Sequence, residues 1–128
     1  MTVRLILAVV VLLALGLALA AWRRPPRRLR AGELAALGVR GPAVVEFVTA
    51  SCAPCRAVAP QLREAAADAG VAFAQIDVGV RPDVARAYGI RTVPTVAVTG
   101  PSGRVTEVWT GVPADGEVAR AARRAARH

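Results

Sequence analysis

The chain has 128 residues, which is enough for one globular domain with a short extension. Its formal net charge is +8, but residues 1–30 carry six of the seventeen arginines and no acid, so the rest of the chain is nearly balanced. Only 4% of the residues are aromatic. A balanced domain without a basic, aromatic-rich pattern gives no sign of a nucleic-acid partner, and we expect none.

The first predicted element is an apolar helix. Eighteen uncharged residues run from Leu5 to Trp22, and as a helix they would span about 27 Å, enough to cross a bilayer. Trp22 suits the membrane interface, and five arginines follow it within residues 23–30. We predict a transmembrane anchor over residues 1–22, in contact with lipid through residues 5–22. Pro25 and Pro26 predict a stiff, extended linker over residues 23–30.

The arginines after Trp22 also bear on topology. Basic flanks stay in the cytoplasm, so they predict a single-pass protein of the cell membrane whose domain is cytoplasmic. The alternative is an extracytoplasmic domain, tethered or released, because Ala18-Leu19-Ala20 resembles the end of a cleavable export signal.

Residues 31–128 are predicted to form one α/β domain. Leu34 and Leu37 have helical spacing and indicate a short helix over residues 31–39. The pattern beyond it predicts strands over residues 43–48, 71–76, 95–99 and 104–110, and helices from the cysteines to Gly70, over 82–88 and over 114–127. The layout β-α-β-α-β-β-α predicts a mixed β-sheet flanked by helices on both faces.

Cys52 and Cys55 lie at the junction between the first strand and the helix that follows it. A helix start supplies unpaired N–H groups and a positive dipole end, so a thiol there loses its proton more readily than an ordinary cysteine. Pro54 fits the first turn, where its missing N–H is no loss. This C-x-x-C spacing indicates a reversible dithiol/disulfide pair.

A C-x-x-C pair has two other known uses. Half of a zinc site is one, but no further cysteine exists and the only histidine is His128, so the ligands would have to come from a second chain. A purely structural disulfide is the other, but closing so short a loop stabilises a fold weakly. We expect neither a metal nor a cofactor.

Four motifs together resemble the thioredoxin family in order and spacing. They are Val44-Val45-Glu46-Phe47, Cys52-Ala53-Pro54-Cys55-Arg56 with Pro60, Tyr88-Gly89-Ile90-Arg91-Thr92-Val93-Pro94-Thr95, and Gly111. The resemblance covers about Leu29 to the C-terminus. It implies a thioredoxin-like fold, here preceded by one N-terminal transmembrane helix.

The resemblance also implies roles for individual residues. Cys52 would be the exposed nucleophile that attacks a substrate disulfide, and Cys55 the buried thiol that resolves the mixed disulfide. Pro94 matches the cis-proline of the family, with Val93 presenting its backbone to the substrate. Ala53 and Pro54 would complete the substrate-binding residues, which are Ala53, Pro54, Val93 and Pro94.

Glu46 is conspicuous in a strand that is otherwise apolar on both faces. A buried carboxylate is costly, so Glu46 should have a raised pKa or a partner. It matches the buried aspartate of the family, which implies that Glu46 accepts the proton of Cys55, directly or through water. The alternative is a glutamate that reaches solvent past the strand end.

Several positions depart from the family pattern. Ser51 and Val48 replace common tryptophans, Ala53 replaces a glycine, and Phe73 stands where a lysine often accompanies the buried acid. These changes favour a membrane-anchored thiol-disulfide oxidoreductase of the protein-disulfide reductase type over a general soluble thioredoxin. Its partners would be protein disulfides or dithiols and an unidentified electron donor. The alternatives are an outward-facing oxidoreductase and a non-catalytic interaction module.

Overall fold

The computed structural model describes residues 1–30 and 32–127, and Ala31 and His128 lie outside the described part. The helices are α1 (Thr2–Trp22), α2 (Arg27–Arg30), α3 (Ala53–Ala69), α4 (Pro82–Tyr88) and α5 (Glu117–Arg127), with a short 3-10 helix at Ala35–Leu37. The strands are β1 (Ala43–Val48), β2 (Ala72–Asp77), β3 (Thr95–Thr99) and β4 (Val105–Thr110). From β1 onward the order confirms the predicted layout.

The four strands form one mixed sheet in the order β2-β1-β3-β4. Strand β1 runs parallel to β2 and antiparallel to β3, and β3 runs antiparallel to β4. The last pair is joined by the predicted turn, in which the Gly103 N–H donates to the Gly100 carbonyl at 2.9 Å. Phe47 near the end of β1 pairs with Thr95 at the start of β3, so these two ends meet at one edge of the sheet.

The core lies on both faces of the sheet because side chains alternate along each strand. On one face Val45 and Phe47 pack in a cluster that includes Val84 of α4. On the other face Val44 packs with Leu62 of α3 and Ala122 of α5. The prediction of helices on both faces is confirmed.

The segment between α1 and the domain is not the extended linker that was predicted. Arg27–Arg30 forms the short helix α2, and Leu29 is 0% exposed within the core cluster around α4. The prediction rested on the two prolines and the arginines. It was wrong for residues 27–30 because the one leucine among them buries its side chain, which favours a local helical turn over an extended chain.

The bounds of four further elements differ from the predictions, and two of these are shifts of one residue: the strand predicted over 71–76 is Ala72–Asp77, and the strand predicted over 104–110 is Val105–Thr110. Of residues 32–39 only Ala35–Leu37 is helical, because the Leu34 N–H bonds the Gly103 carbonyl at 3.2 Å instead of continuing a helix. The closing helix begins at Glu117 rather than Ala114, because Gly116 has the left-handed φ of 78°.

Helix α1 is apolar and uncovered. Its 21 residues span about 32 Å at 1.5 Å per residue, and none of them is buried. Mean hydropathy reaches 2.9 over its best window, and within the described residues it is the one helix long and apolar enough to cross a membrane. A signal sequence has the same properties, so α1 is a candidate for either.

Candidate active site

The cysteine pair lies at the junction between the end of β1 and the start of α3. Cys52 has an extended backbone and caps the helix, which begins at Ala53 with Pro54 in its first turn. The connecting loop is fixed at both ends: the Cys52 N–H donates to the Thr49 carbonyl at 3.2 Å, and the Arg56 guanidinium donates to the Ala50 carbonyl at 2.8 Å. The loop therefore holds both sulfurs at the start of the helix.

The two cysteines are joined as a disulfide, with their Cα atoms 5.3 Å apart. The Cys55 N–H donates to the Cys52 sulfur at 3.2 Å. It is one of the N–H groups that a helix start leaves without an intrahelical partner. Once the disulfide is opened, the same donor can stabilise negative charge on Cys52, as predicted for a thiol at a helix start.

The burial of the two cysteines partly corrects what the resemblance implied. Cys55 is 2% exposed, as a buried resolving thiol should be. Cys52 is 8% exposed, so it is the more accessible of the two but not an exposed residue in this oxidised state. In this state the Cys52 sulfur is bonded to Cys55 and accepts a hydrogen bond from the Cys55 N–H.

Pro94 lies at the same edge of the sheet as the cysteine loop, since it immediately precedes the residue that pairs with Phe47. The Val93–Pro94 peptide bond is cis. The Pro94 carbonyl accepts from the Gly111 N–H at 2.8 Å, and the Thr95 hydroxyl donates to the Thr92 carbonyl at 2.7 Å. These bonds fix the loop between α4 and β3.

The other candidate substrate contacts are distributed as follows. Ala53 and Pro54 are exposed on the first turn of α3, Val93 is half-buried, and Pro94 is buried. Among the described residues no group of three or more His, Cys, Asp or Glu side chains could hold a metal ion.

Glu46 is 0% exposed, so the alternative in which its carboxyl reaches solvent is wrong. It projects from β1 to the face that α3 covers. Cys55 is a buried residue of the same helix. Its Oε1 accepts from the Gln75 side-chain amide at 2.8 Å, while Oε2 has no partner among the described atoms. When Glu46 is neutral, Oε2 is therefore the oxygen that carries the proton.

The electrostatics of Glu46 follow from this burial. Desolvation raises the pKa of Glu46 above its ordinary value of 4.5, while the Gln75 hydrogen bond and the positive charge of Arg63 oppose that shift. A carboxyl group with a raised pKa exchanges its proton closer to neutral pH than an ordinary glutamate does. It is thus suited to accepting a proton from a thiol.

Gln75 and Arg63 were not predicted from the sequence as part of the site. Gln75 lies directly opposite Glu46 in the β1–β2 register. The Arg63 guanidinium lies 3.5 Å from the Gln75 side-chain oxygen and 4.7 Å from the centre of the Phe73 ring. Where the family often has a lysine this chain has Phe73, and a cation reaches the same neighbourhood from α3. Aligning the two predicted strands could have suggested Gln75, but the register itself was not predicted.

Three features of this structure define the thioredoxin-like class of redox proteins. They are a disulfide at a helix start, a cis-proline loop at the same edge of the sheet, and a four-stranded mixed sheet covered by helices on both faces. The comparisons with known proteins agree. The family model described as Thioredoxin matches residues 35–122. The chain belongs to the thioredoxin family.

Individual relatives give the extent of the likeness. Thioredoxin Asp f 28 of Aspergillus fumigatus is 44% identical over 61 residues, which are 47% of this chain and 56% of that protein. Thioredoxin 1 of Synechococcus elongatus is 36% identical over 74 residues, 56% of this chain and 69% of that one. The solved structure of a mutant thioredoxin from Halobacterium salinarum is 25% identical, with a TM-score of 0.61 over 68% of this chain and 76% of that chain. The first curated relatives are matched over only 39%, 35% and 56% of their length.

Proposed function

We propose that this protein is a membrane-anchored thiol-disulfide oxidoreductase that reduces protein disulfides. The observation that carries the proposal is the Cys52–Cys55 disulfide at the start of α3, with the Cys55 N–H 3.2 Å from the Cys52 sulfur. That arrangement is built to stabilise a thiolate on Cys52 and to close the disulfide again at low cost, because both sulfurs are already held on one helix turn.

The reaction begins with both cysteines reduced. The Cys52 thiolate attacks one sulfur of the substrate disulfide, a Cys52–substrate bond forms, and the other substrate sulfur leaves as a thiolate that takes up a proton. Cys55 then loses its proton and attacks the Cys52 sulfur, which releases the second substrate thiol. Two electrons have passed to the substrate, and the protein is left in the disulfide state. A dithiol donor restores the reduced pair, and no cofactor takes part.

Glu46 is proposed as the proton acceptor for Cys55. Glu46 is buried on β1 and Cys55 is buried on α3, the helix that directly follows this strand and its loop. The Oε2 atom of Glu46 has no competing partner among the described residues. In its carboxylate form Glu46 would take the Cys55 proton, directly or through a water molecule, so that Cys55 attacks as a thiolate. The raised pKa of Glu46 makes its carboxylate a stronger base than that of an ordinary glutamate, which favours this proton transfer.

Substrate contacts are proposed at the surface around the disulfide. The Val93 backbone would pair with an extended substrate segment, with Pro94 beside it and Ala53 and Pro54 on the opposite side of the cysteine loop. The hydrogen bonds that fix residues 92–95 support this role, because a rigid loop can offer its backbone to a partner at little entropic cost.

Helix α1 is proposed as the anchor, with lipid contacts through residues 5–22. Residues 1–22 would form the transmembrane segment, residues 23–30 the juxtamembrane segment, and residues 31–128 the redox domain, with Leu29 docked into it. The uncovered apolar surface of α1 and the arginines that follow it support a single-pass membrane protein with a cytoplasmic domain.

Reduction of insulin disulfides by dithiothreitol tests the activity. The full chain in detergent micelles is expected to accelerate precipitation of the insulin B chain, while Cys52→Ser should be inactive. Cys55→Ser should retain the first attack and accumulate a mixed disulfide that reducing agent releases. A wild-type rate no higher than that of Cys52→Ser would favour the non-catalytic interaction module.

The second candidate function is the same chemistry outside the cytoplasm, which the Ala18-Leu19-Ala20 pattern favours. Labelling with a membrane-impermeant maleimide separates the two. In intact cells treated with an impermeant reductant, the cytoplasmic topology predicts labelling of Cys52 only after permeabilisation. Labelling before permeabilisation would assign the domain to the outside.

A further inference from the structure

The juxtamembrane segment packs against the domain beside the proposed substrate loop. A Cβ placed on Gly89 would lie 3.5 Å from the Pro26 ring, and Leu29 is fully buried in the core. A cleft between the two parts is lined by Trp22, Arg24, Pro26, Thr92, Thr95 and Thr110. The Thr110 hydroxyl in this cleft is buried and has no partner among the described atoms. The end of the anchor and the loop that leads to Pro94 therefore share one surface.

The chain between the anchor and this contact is too short to let the domain turn away from the bilayer. Only four residue steps separate Trp22 from Pro26, and a fully extended chain covers at most about 14 Å in four steps. Because Pro26 contacts Gly89, the edge of the domain that leads to Pro94 stays within roughly that distance of the interface that Trp22 occupies. This bound holds whatever angle α1 takes.

The charges on this surface favour the same orientation. Four exposed arginines, Arg24, Arg27, Arg28 and Arg91, surround the contact between Pro26 and Gly89. No acid is among the described residues that line this region, and in the described part of the chain none of the four arginines forms an ion pair. Such a patch is complementary to anionic lipid headgroups, which would hold this edge against the membrane.

We infer that the substrate is itself a membrane-anchored protein whose disulfide lies close to the headgroups on the same side of the bilayer. An extended segment of that protein would bind along residues 92–94, on the surface beside the juxtamembrane segment. The inference rests on the proposed reductase function and uses the same two-electron exchange, with a dithiol as the donor.

The test uses the full chain in vesicles that contain anionic lipid. The probes are two synthetic peptides, each with an apolar membrane-spanning helix, a Gly/Ser spacer and a cysteine pair closed as a disulfide. One spacer has about 5 residues and the other about 40, which gives mean reaches of roughly 12 and 35 Å. Dithiothreitol is the donor, and alkylation of the released thiols followed by mass spectrometry gives the rates.

The native chain should reduce the short-spacer peptide about tenfold faster, because the effective concentration of a tethered group falls steeply with tether length. The matched variant carries about 40 Gly/Ser residues between Trp22 and Arg23, which leaves the Pro26–Gly89 contact intact. Both proteins are assayed at about 0.5 M salt, which screens the attraction of the four arginines to anionic lipid, so that the inserted spacer frees the domain of the variant from the membrane. For this variant the preference should fall below about threefold. Equal rates for the native chain, or an unchanged preference in the variant, would overturn the inference.

Controls separate this result from failure of the proposed function. Both proteins should reduce soluble insulin at similar rates, and both should float with the vesicles in a density gradient. If neither reduces insulin, the proposed reductase function fails. If the native chain does not float, the anchor and the inference fail together. If both controls hold and the peptide preference is absent, only the membrane-proximal substrate is refuted.

Discussion

Replacing Glu46 by glutamine should make the protein more stable at alkaline pH and slower in disulfide exchange. Glu46 is fully buried, and its carboxylate has one hydrogen bond, from Gln75, while Oε2 has no described partner. Burial of the charged carboxylate is the unfavourable contribution, because each unit by which desolvation raises the pKa corresponds to about 1.4 kcal/mol. Glu46→Gln keeps the shape and the contact with Gln75 but removes the charge, so we expect a gain of about 1 kcal/mol or more at pH 8.

The sign of the pH dependence follows from the raised pKa. Because the folded protein holds the Glu46 proton more tightly than the unfolded chain does, the folded state binds more protons once the pH exceeds the ordinary value of 4.5. Stability therefore falls as the pH rises from about 4.5 through the raised pKa and then levels off. Below 4.5 the carboxyl is neutral in both states, so the advantage of the glutamine variant should disappear.

Thermal unfolding of the oxidised protein in detergent, followed by circular dichroism, measures this difference. One kcal/mol shifts the midpoint of a domain of about 100 residues by roughly 4–8 °C. Glu46→Gln should raise the midpoint at pH 8 by about 4 °C or more and leave it unchanged at pH 4. Glu64→Gln, the same substitution on the exposed side of α3, should change neither value.

The same variant tests the proposed role in exchange. Without a proton acceptor, resolution of the mixed disulfide by Cys55 should slow by on the order of 10²-fold, whereas the first attack by Cys52 should not change. Stopped-flow kinetics with a peptide disulfide distinguishes the two steps. The proposed role of Glu46 would be refuted if Glu46→Gln were no more stable than the native protein at pH 8 and if its Cys55 resolved the mixed disulfide at the native rate. Burial of the Glu46 charge would then not destabilise the fold, and Glu46 would not accept the Cys55 proton.

Three other substitutions probe neighbouring features. Gln75→Leu removes a hydrogen bond that lowers the pKa of Glu46, so the pH at which Cys55 resolves the mixed disulfide quickly should move upward. Gln61→Leu, on the exposed side of α3, should leave this pH–rate profile unchanged. Leu29→Ala should lower the free energy of unfolding in denaturant by about 2–5 kcal/mol, since the side chain is fully buried. If the loss were no larger than for Leu19→Ala in α1, Leu29 would not be part of the core. Thr99→Val removes the donor to the Gly41 carbonyl at 2.9 Å and should cost about 1–2 kcal/mol, and a neutral result would mean that water replaces the hydroxyl.

Much of the domain was predictable because its signals are local. The strand at residues 43–48, the helix at 82–88 and the strand at 95–99 were predicted with their observed bounds, since each is closed by a glycine, a proline or a change of period. Cys52 and Cys55 were found from spacing alone, because the chain has no other cysteine.

The parts that were not predicted depend on contacts between distant segments. Gln75 meets Glu46 only through the register of two strands, and the two residues are 29 positions apart in sequence. Leu29 is a single apolar residue among arginines, and its burial depends on a pocket that α4 and the start of the domain complete. Neither contact leaves a periodic pattern in the chain, so pattern analysis had no signal to detect.

The burial of Leu29 has a consequence for how the domain could be shed from a membrane. Proteolysis between Ala20 and Ala21 would free a polypeptide that still carries every side chain of the core, and that product should remain folded in solution. A cut only ten residues later, at Arg30, would remove Leu29 and leave a cavity in the core. The resulting loss would be a large fraction of the free energy of unfolding of a small domain. The boundary between a soluble, active fragment and an unstable one thus falls within the arginine-rich stretch itself.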